Sequence, residues 1–284
     1  MILVDIIAVV RWEDLGFSPI ALDLGFFKLR WYSLAYLFGI LFGWWYLIRM
    51  ISLPGSPMAK RHIDDFVIYA TLGVILGGRV GYCLFYRPEI FFTPLEVLKL
   101  WEGGMSFHGG VLGVVIALII FCKKNDLNFV RVCDYVACVY PMGHLLGRLA
   151  NFSNGELWGK EADLPWAMVF PGAGEVARHP SQLYEAGLEG LLLGCILWVL
   201  FWKTNARQLP GLLVGSFTLL MGVFRFIIEM VREPDEGVAG LLGMSMGQTL
   251  CIPMFIVGGY LIFVAKKRNL STISKPVAEA ERTH

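Results

Sequence analysis

Gly147–Gly159 reads GRLANFSNGELWG and places Arg148, Asn151, Asn154 and Glu156 at the end of a long apolar segment. An arginine by itself at the end of a membrane helix is a snorkelling anchor. Here two amides and a carboxylate follow it, and Gly147, Gly155 and Gly159 allow the backbone to turn sharply. Polar side chains at membrane depth are costly unless they pair or meet a polar ligand. The cluster therefore points to a pocket at the membrane surface that holds an anionic headgroup.

Three further stretches carry chemistry. GGMSFHGG (103–110) sets His108 between glycine pairs at a helix start. Such a histidine either caps and packs the helix or, as a neutral imidazole, takes a proton from a nucleophile near neutral pH. Arg225 and Glu229 stand four apart on one helix face. They form an ion pair that can also hold the guanidinium rigid for a phosphate. Arg79, in GGRVGYCLFY, either braces packing or joins the same site. HPSQLYE (179–185) supplies His179, Gln182, Tyr184 and Glu185 as a dense polar run without individually assignable roles.

Other chemistries lack their signatures. There is no HExxH, no GxSxG elbow and no GxxxxGK[ST] phosphate loop. No histidine stands at ligand spacing from the acidic residues, so no metal site and no cofactor is expected. The net charge of +1 argues against nucleic acid. The six cysteines fall in or beside apolar runs without a CxxC pair, as small buried residues rather than disulfides.

The elements that must position these groups are membrane helices. The chain has 284 residues, 56% apolar and 17% charged, against about 25% charged in ordinary globular chains. Seven stretches are long enough to cross a bilayer, near 32–49, 65–86, 107–122, 132–152, 183–202, 212–231 and 247–265. Asp64 and Asp65 are placed to cap the second. The apolar N-terminal run lacks a basic flank and contains Asp5, which suits an interfacial segment rather than a cleavable signal. GxxxG spacings, among them Gly73/Gly77/Gly81 and Gly109/Gly113, are spread along the chain and suggest a closely packed bundle.

The expected fold is an all-α integral membrane protein, one polytopic domain over residues 1–284. With the N-terminus outside, 13 lysines and arginines fall on the inner side, eight on the outer side and three within helices. The positive-inside rule then favours N-out, C-in. This makes 153–182, rich in proline and glycine, a small periplasmic cap and 266–284 a cytoplasmic tail. It also gathers the polar groups. Tyr32, His108, Gln182, Glu185, Glu189 and Gln248 open outward-starting helices, while Arg79, Arg148, Arg225 and Glu229 lie late in outward-ending ones. Snorkelling alone would scatter them over both faces; His144, Asp134 and a few tyrosines are the exceptions. The pattern describes one outer-leaflet pocket.

The runs RWYSLAY (30–36), GGRVGYCLFY (77–86), WEGGMSFHGG (101–110), GRLANFSNGELWG (147–159), RHPSQLYE (178–185), FRFIIEMVREPD (224–235) and SMGQ (245–248) resemble the bacterial prolipoprotein diacylglyceryl transferase family. They occur in the family's order and cover nearly the whole chain. The resemblance implies a seven-helix inner-membrane enzyme without cofactor. Its reaction moves the diacylglyceryl group of phosphatidylglycerol onto the lipobox cysteine thiol of a preprolipoprotein signal peptide, and glycerol 1-phosphate leaves. Carried over by motif, His108, Arg148 and Arg225 are the catalytic candidates. Tyr32, Arg148, Asn151, Asn154, Glu156, Arg225 and Glu229 are the candidates for phosphatidylglycerol binding. Two departures stand out. Met221 occupies a position where some members have tyrosine, and the 160–178 segment is shorter than in longer members.

Two other classes share some of these features. A non-catalytic anionic-phospholipid carrier would use the same arginines but would need a polar route through the inner halves, where the sequence shows little of one. A membrane-embedded protease would need a serine or an aspartate pair at membrane depth, and none stands out.

Overall fold

The computed structural model describes residues 10–99, 103–233, 240–265 and 267. Several expectations lie outside these residues: the start of the interfacial segment (1–9), Trp101 and Glu102, Pro234 and Asp235, and nearly all of the C-terminal tail.

Long apolar runs fold as helices, and among the described residues a helix overlaps each of the seven stretches. These helices are α1 (Trp31–Ile51), α2 (Arg61–Phe85), α3 (Phe107–Lys124), α4 (Phe129–Asn154), α5 (Ser181–Lys203), α6 (Leu212–Ile228) and α7 (Met246–Ala265). Among the described residues, α1, α2, α5 and α7 are long and apolar enough to cross a membrane, and α6 is a shorter apolar helix. Pro141 lies inside α4 without ending it, as neighbouring groups in membrane bundles permit.

The fold is mostly helical with a few short strands. Strands β2 (Ile20–Asp23) and β3 (Lys28–Arg30) form an antiparallel hairpin that leads into α1. β1 (Val10–Arg11) pairs in parallel with β4 (Met168–Val169). That pairing builds the chain after residue 9 into the 153–182 segment. Trp12 is buried with Phe152, Phe170 and Ala173, and its indole donates to the Phe152 carbonyl at 2.7 Å. Isolated bridges from Glu161 and Met168 to Arg178 tie the segment together.

The chain divides into two compact units, residues 1–46 with 134–272 and residues 47–133 with 273–284. In the second, α2 and α3 meet along glycines. A Cβ on Gly77 would fall 2.4 Å from the Gly109 carbonyl oxygen, and one on Gly113 2.1 Å from that of Gly73. The GxxxG spacing thus serves helix packing within the chain. Lys60, not Asp64 or Asp65, precedes the first residue of α2 and offers no side-chain cap. The helix begins about a turn earlier than expected, which leaves Asp64 in the first turn, where its charge favours the helix dipole. All six cysteines are free; Cys83, Cys122, Cys138 and Cys251 are buried, whereas Cys195 is exposed.

In the first unit, Asp134 explains itself as a cap supplied from another helix. Its carboxylate accepts from the Gly211 and Val214 amides, each at 2.8 Å, at the start of α6. Buried amides at a helix N-terminus that would otherwise lack partners are satisfied by this one charged group.

Candidate active site

The motif Gly147–Gly159 straddles the end of α4. Gly147 and Arg148 lie within the helix, and the turn begins only at Gly155, whose φ is +68°. Gly155 also packs tightly, since a Cβ there would fall 2.7 Å from Pro171 Cγ. Leu157 follows at φ +59°, a conformation that costs a non-glycine residue energy unless its surroundings hold it. The start of α5 does so. Ser181 Oγ donates to the Leu157 carbonyl at 3.0 Å, and Gln182 Nε2 to the Glu156 carbonyl at 2.5 Å. Gly159 has the third role, close approach: a Cβ there would fall 2.4 Å from the Val231 carbonyl oxygen.

This turn aims Glu156 back at its own helix. Glu156 Oε1 accepts from Asn151 Nδ2 at 2.8 Å and from Asn154 Nδ2 at 3.0 Å. Arg148 Nη1 donates to Asn151 Oδ1 at 3.3 Å. All four polar residues of the motif are therefore one connected network. Tyr32 is half-exposed on the first turn of α1, packs on Tyr36, and lies within electrostatic reach of Glu156 and Arg148.

α5 supplies the centre of the site. Its middle, Ala186–Leu192, is π-helical, a rare local widening that often marks function. Glu185 at its edge is 1% exposed and meets three arginines. Oε2 lies 2.5 Å from Arg148 Nε. Oε1 lies 3.5 Å from Arg225 Nη1 and 3.5 Å from Arg232 Nη1. The Arg148 contact is charge to charge rather than an aligned hydrogen bond, because that Nε–H points toward His144 Nε2 at 3.5 Å.

Arg225 also pairs with Glu229 as its spacing predicts, Nη2 to Oε1 at 2.7 Å. Glu229 Oε2 accepts from Ser245 Oγ at 2.8 Å. Ser245 and Gln248 form a reciprocal capping box at the start of α7, which accounts for the SMGQ run. Gly247 is required there, since a Cβ would fall 2.3 Å from the Glu229 carboxyl carbon.

His144 and Glu189 complete the cluster. His144 Nε2 lies 2.8 Å from Glu189 Oε2, and Tyr140 Oη lies 3.3 Å from His144 Nδ1. His144, an exception to the sequence pattern, thus belongs with the other polar groups. Donor atoms of His144, Glu185 and Glu189 lie within 4.8 Å of one another, a grouping of metal-ligand type. Arg148, Arg225 and Arg232 pair with Glu185 of this grouping.

His108 belongs to the other compact unit. It is exposed in the first turn of α3, whose cap is Ser106, accepting from the Gly109 amide at 3.2 Å. Arg79 braces the loop before α3, donating to the carbonyls of Glu96, Val97, Gly103 and Gly104. His179, just ahead of α5, is held below the usual imidazole range by burial and then by the Lys160 charge.

Sequence reasoning found the arginines, amides and Glu156, and noted Glu185 and Gln182 only as members of a polar run. It placed Glu189 with Gln182 and Glu185 among the outward-facing polar groups, set His144 aside as an exception, and assigned no role to Arg232, Ser181 or Ser245. For Ser181 and Glu189 the dense polar spacing around Gln182–Glu185 was the available signal.

A helical protein with membrane-length apolar helices and a buried arginine–carboxylate site is the class these features define. A family model for prolipoprotein diacylglyceryl transferase matches residues 19–264. The chain is similar to proteins named phosphatidylglycerol–prolipoprotein diacylglyceryl transferase. One from Erythrobacter litoralis is 52% identical over 95% of this chain and 97% of its own. One from Zymomonas mobilis is 50% identical over 93% and 96%, and one from Rhodospirillum rubrum 49% over 92% and 94%. The chain belongs to the prolipoprotein diacylglyceryl transferase family.

Proposed function

We infer that this chain is an enzyme that transfers the diacylglyceryl group of phosphatidylglycerol to the lipobox cysteine thiol of preprolipoproteins. A thioether forms and glycerol 1-phosphate is released. The observation that carries the site chemistry is Glu185, one buried carboxylate set among Arg148, Arg225 and Arg232. It fixes three guanidiniums around one point and leaves each with further donors of its five for an anionic headgroup.

In this reaction the sulfur attacks the glyceryl carbon bonded to the phosphate oxygen. The C–O bond breaks, its electron pair stays with the phosphate, and the thiol proton is passed on. Charge grows on the leaving phosphate, so arginines already oriented toward it stabilise the transition state. Arg148 and Arg225 take this role, with Tyr32, Asn151, Asn154, Glu156 and Glu229 binding or arranging the headgroup. A thiol of pKa about 8.5 needs modest help to ionise. His108, carried by its motif, is assigned that help or the orientation of the lipid.

The chain acts as one polytopic domain of the bacterial inner membrane, with seven spans, N-terminus outside and C-terminus inside. The 153–182 segment is the periplasmic cap, 266–284 the cytoplasmic tail, and the site faces the outer leaflet. The bias of lysine and arginine supports this orientation. Phosphatidylglycerol and lipobox signal peptides are the partners, with no nucleic acid. Incubating purified protein with labelled phosphatidylglycerol and a lipobox peptide tests the reading. Thioether product supports the transferase; lipid binding or exchange without product would make the protein a carrier.

A further inference from the structure

One nitrogen in the cluster faces two partners of opposite demand. His144 Nε2 lies 2.8 Å from Glu189 Oε2, an acceptor, and 3.5 Å from Arg148 Nε, a donor. The shorter contact governs, so Nε2 carries its hydrogen and donates to Glu189. Nδ1 is then left to Tyr140, 3.3 Å away. A hydroxyl both donates and accepts. It therefore gives its hydrogen to a neutral imidazole and takes one from an imidazolium, and either state of His144 is satisfied without moving the ring.

The charges around it make the two states unequal. On α4 His144 faces Tyr140 and Arg148. α5 contributes Glu185 and Glu189, α6 contributes Arg225, and Glu229 and Arg232 follow α6. Arg148, Arg225 and Arg232 balance Glu185, Glu189 and Glu229, three against three, and Glu156 adds a further negative charge through Asn151. A phosphate diester entering this network brings another. Glu189 Oε1 is buried without a hydrogen-bond partner among the described residues, so His144 makes the direct polar contact to that carboxylate, at Oε2.

We propose that the His144–Glu189 pair is the charge-setting element of the headgroup site, and that His144 takes up a proton when an anionic phospholipid binds beside Arg148. This rests on the anionic-headgroup role assigned above to Arg148. His144 touches no reacting atom in this account; it acts through the field it sets at Arg148. By linkage, protonation and lipid binding strengthen each other equally. The anionic lipid is therefore held more tightly at acid than at alkaline pH.

The test uses the full-length protein in nanodiscs. Short-chain phosphatidylglycerol and the matching phosphatidylcholine are titrated between about pH 5 and pH 8, the range in which an ordinary imidazole changes charge. The native protein should lose on the order of tenfold in phosphatidylglycerol affinity from acid to alkaline, the scale of one unit charge about 12 Å away at an effective dielectric near 20. His144→Gln and His144→Asn should flatten that dependence, and phosphatidylcholine should show none. In weak buffer the native protein should take up protons as phosphatidylglycerol binds, a readout that needs no variant. An affinity independent of pH, no proton uptake, or the native dependence persisting in either folded variant would overturn the proposal and leave the headgroup reading intact. No preference for phosphatidylglycerol over phosphatidylcholine at any pH would overturn both.

Discussion

Arg148 Nε lies 2.5 Å from Glu185 Oε2, so the most prominent arginine of the α4 motif is held by a carboxylate from α5. The same carboxylate faces Arg225 and Arg232. Glu185→Gln keeps the shape but removes the shared counter-charge from three guanidiniums. It should destabilise the protein by roughly 3–5 kcal/mol, the range for breaking a buried pair, read as a lower melting point in detergent. An unchanged melting point would mean that the three contacts contribute nothing to the fold.

His108→Gln separates proton transfer from positioning. If His108 helps the thiol ionise, the variant should lose most activity near neutral pH. Part should return at alkaline pH, where a thiol of pKa about 8.5 ionises unaided. An equal loss at every pH, with lipid binding unchanged, would assign His108 to positioning.

Close packing of α2 on α3 gives a prediction independent of the site. A Cβ on Gly77 would meet the backbone of Gly109 and Gly113 at 2.4 and 2.7 Å, and backbone cannot swing aside. Gly77→Ala should therefore cost about 1–3 kcal/mol, as overpacking does, again read by detergent melting. A melting point equal to the native one would show that the helices separate freely.

The helices were legible because apolar length alone specifies them. The seven expected stretches agree with α1–α7 to within a few residues at most ends; the end of α6 and the start of α2 differ because Glu229 and Lys60 lie beyond apolar runs. Arg225–Glu229 and Arg148–Asn151 were legible because they are neighbours on one helix face. The meeting of Arg148, Arg225 and Arg232 at Glu185 was not, because it depends on how α4, α5 and α6 pack. Nor was the π-helical stretch that sets Glu185 and Glu189. The strained Leu157 likewise has no local signal; Ser181 and Gln182 impose it from another element.

Orientation is tested by single cysteines in a cysteine-free background. Asp163 in the cap and Thr204 after α5 are both exposed. Asp163→Cys should react with an impermeant thiol reagent from outside only, and Thr204→Cys from the cytoplasmic side only. Reversed labelling would invert the bundle and move the site to the inner leaflet.

The phosphate clamp itself rests on the difference between a fork and a point charge. Lysine keeps the charge of arginine but loses its planar pair of donors. Arg225 is additionally bound to Glu229, so Arg225→Lys reports on bracing as well as on phosphate. Arg148→Lys is the more direct substitution. Its transfer rate from phosphatidylglycerol to a lipobox peptide should fall about 10- to 150-fold, the equivalent of roughly 1.5–3 kcal/mol for a charge-assisted hydrogen bond. Near-native transfer by Arg148→Lys would contradict the clamp.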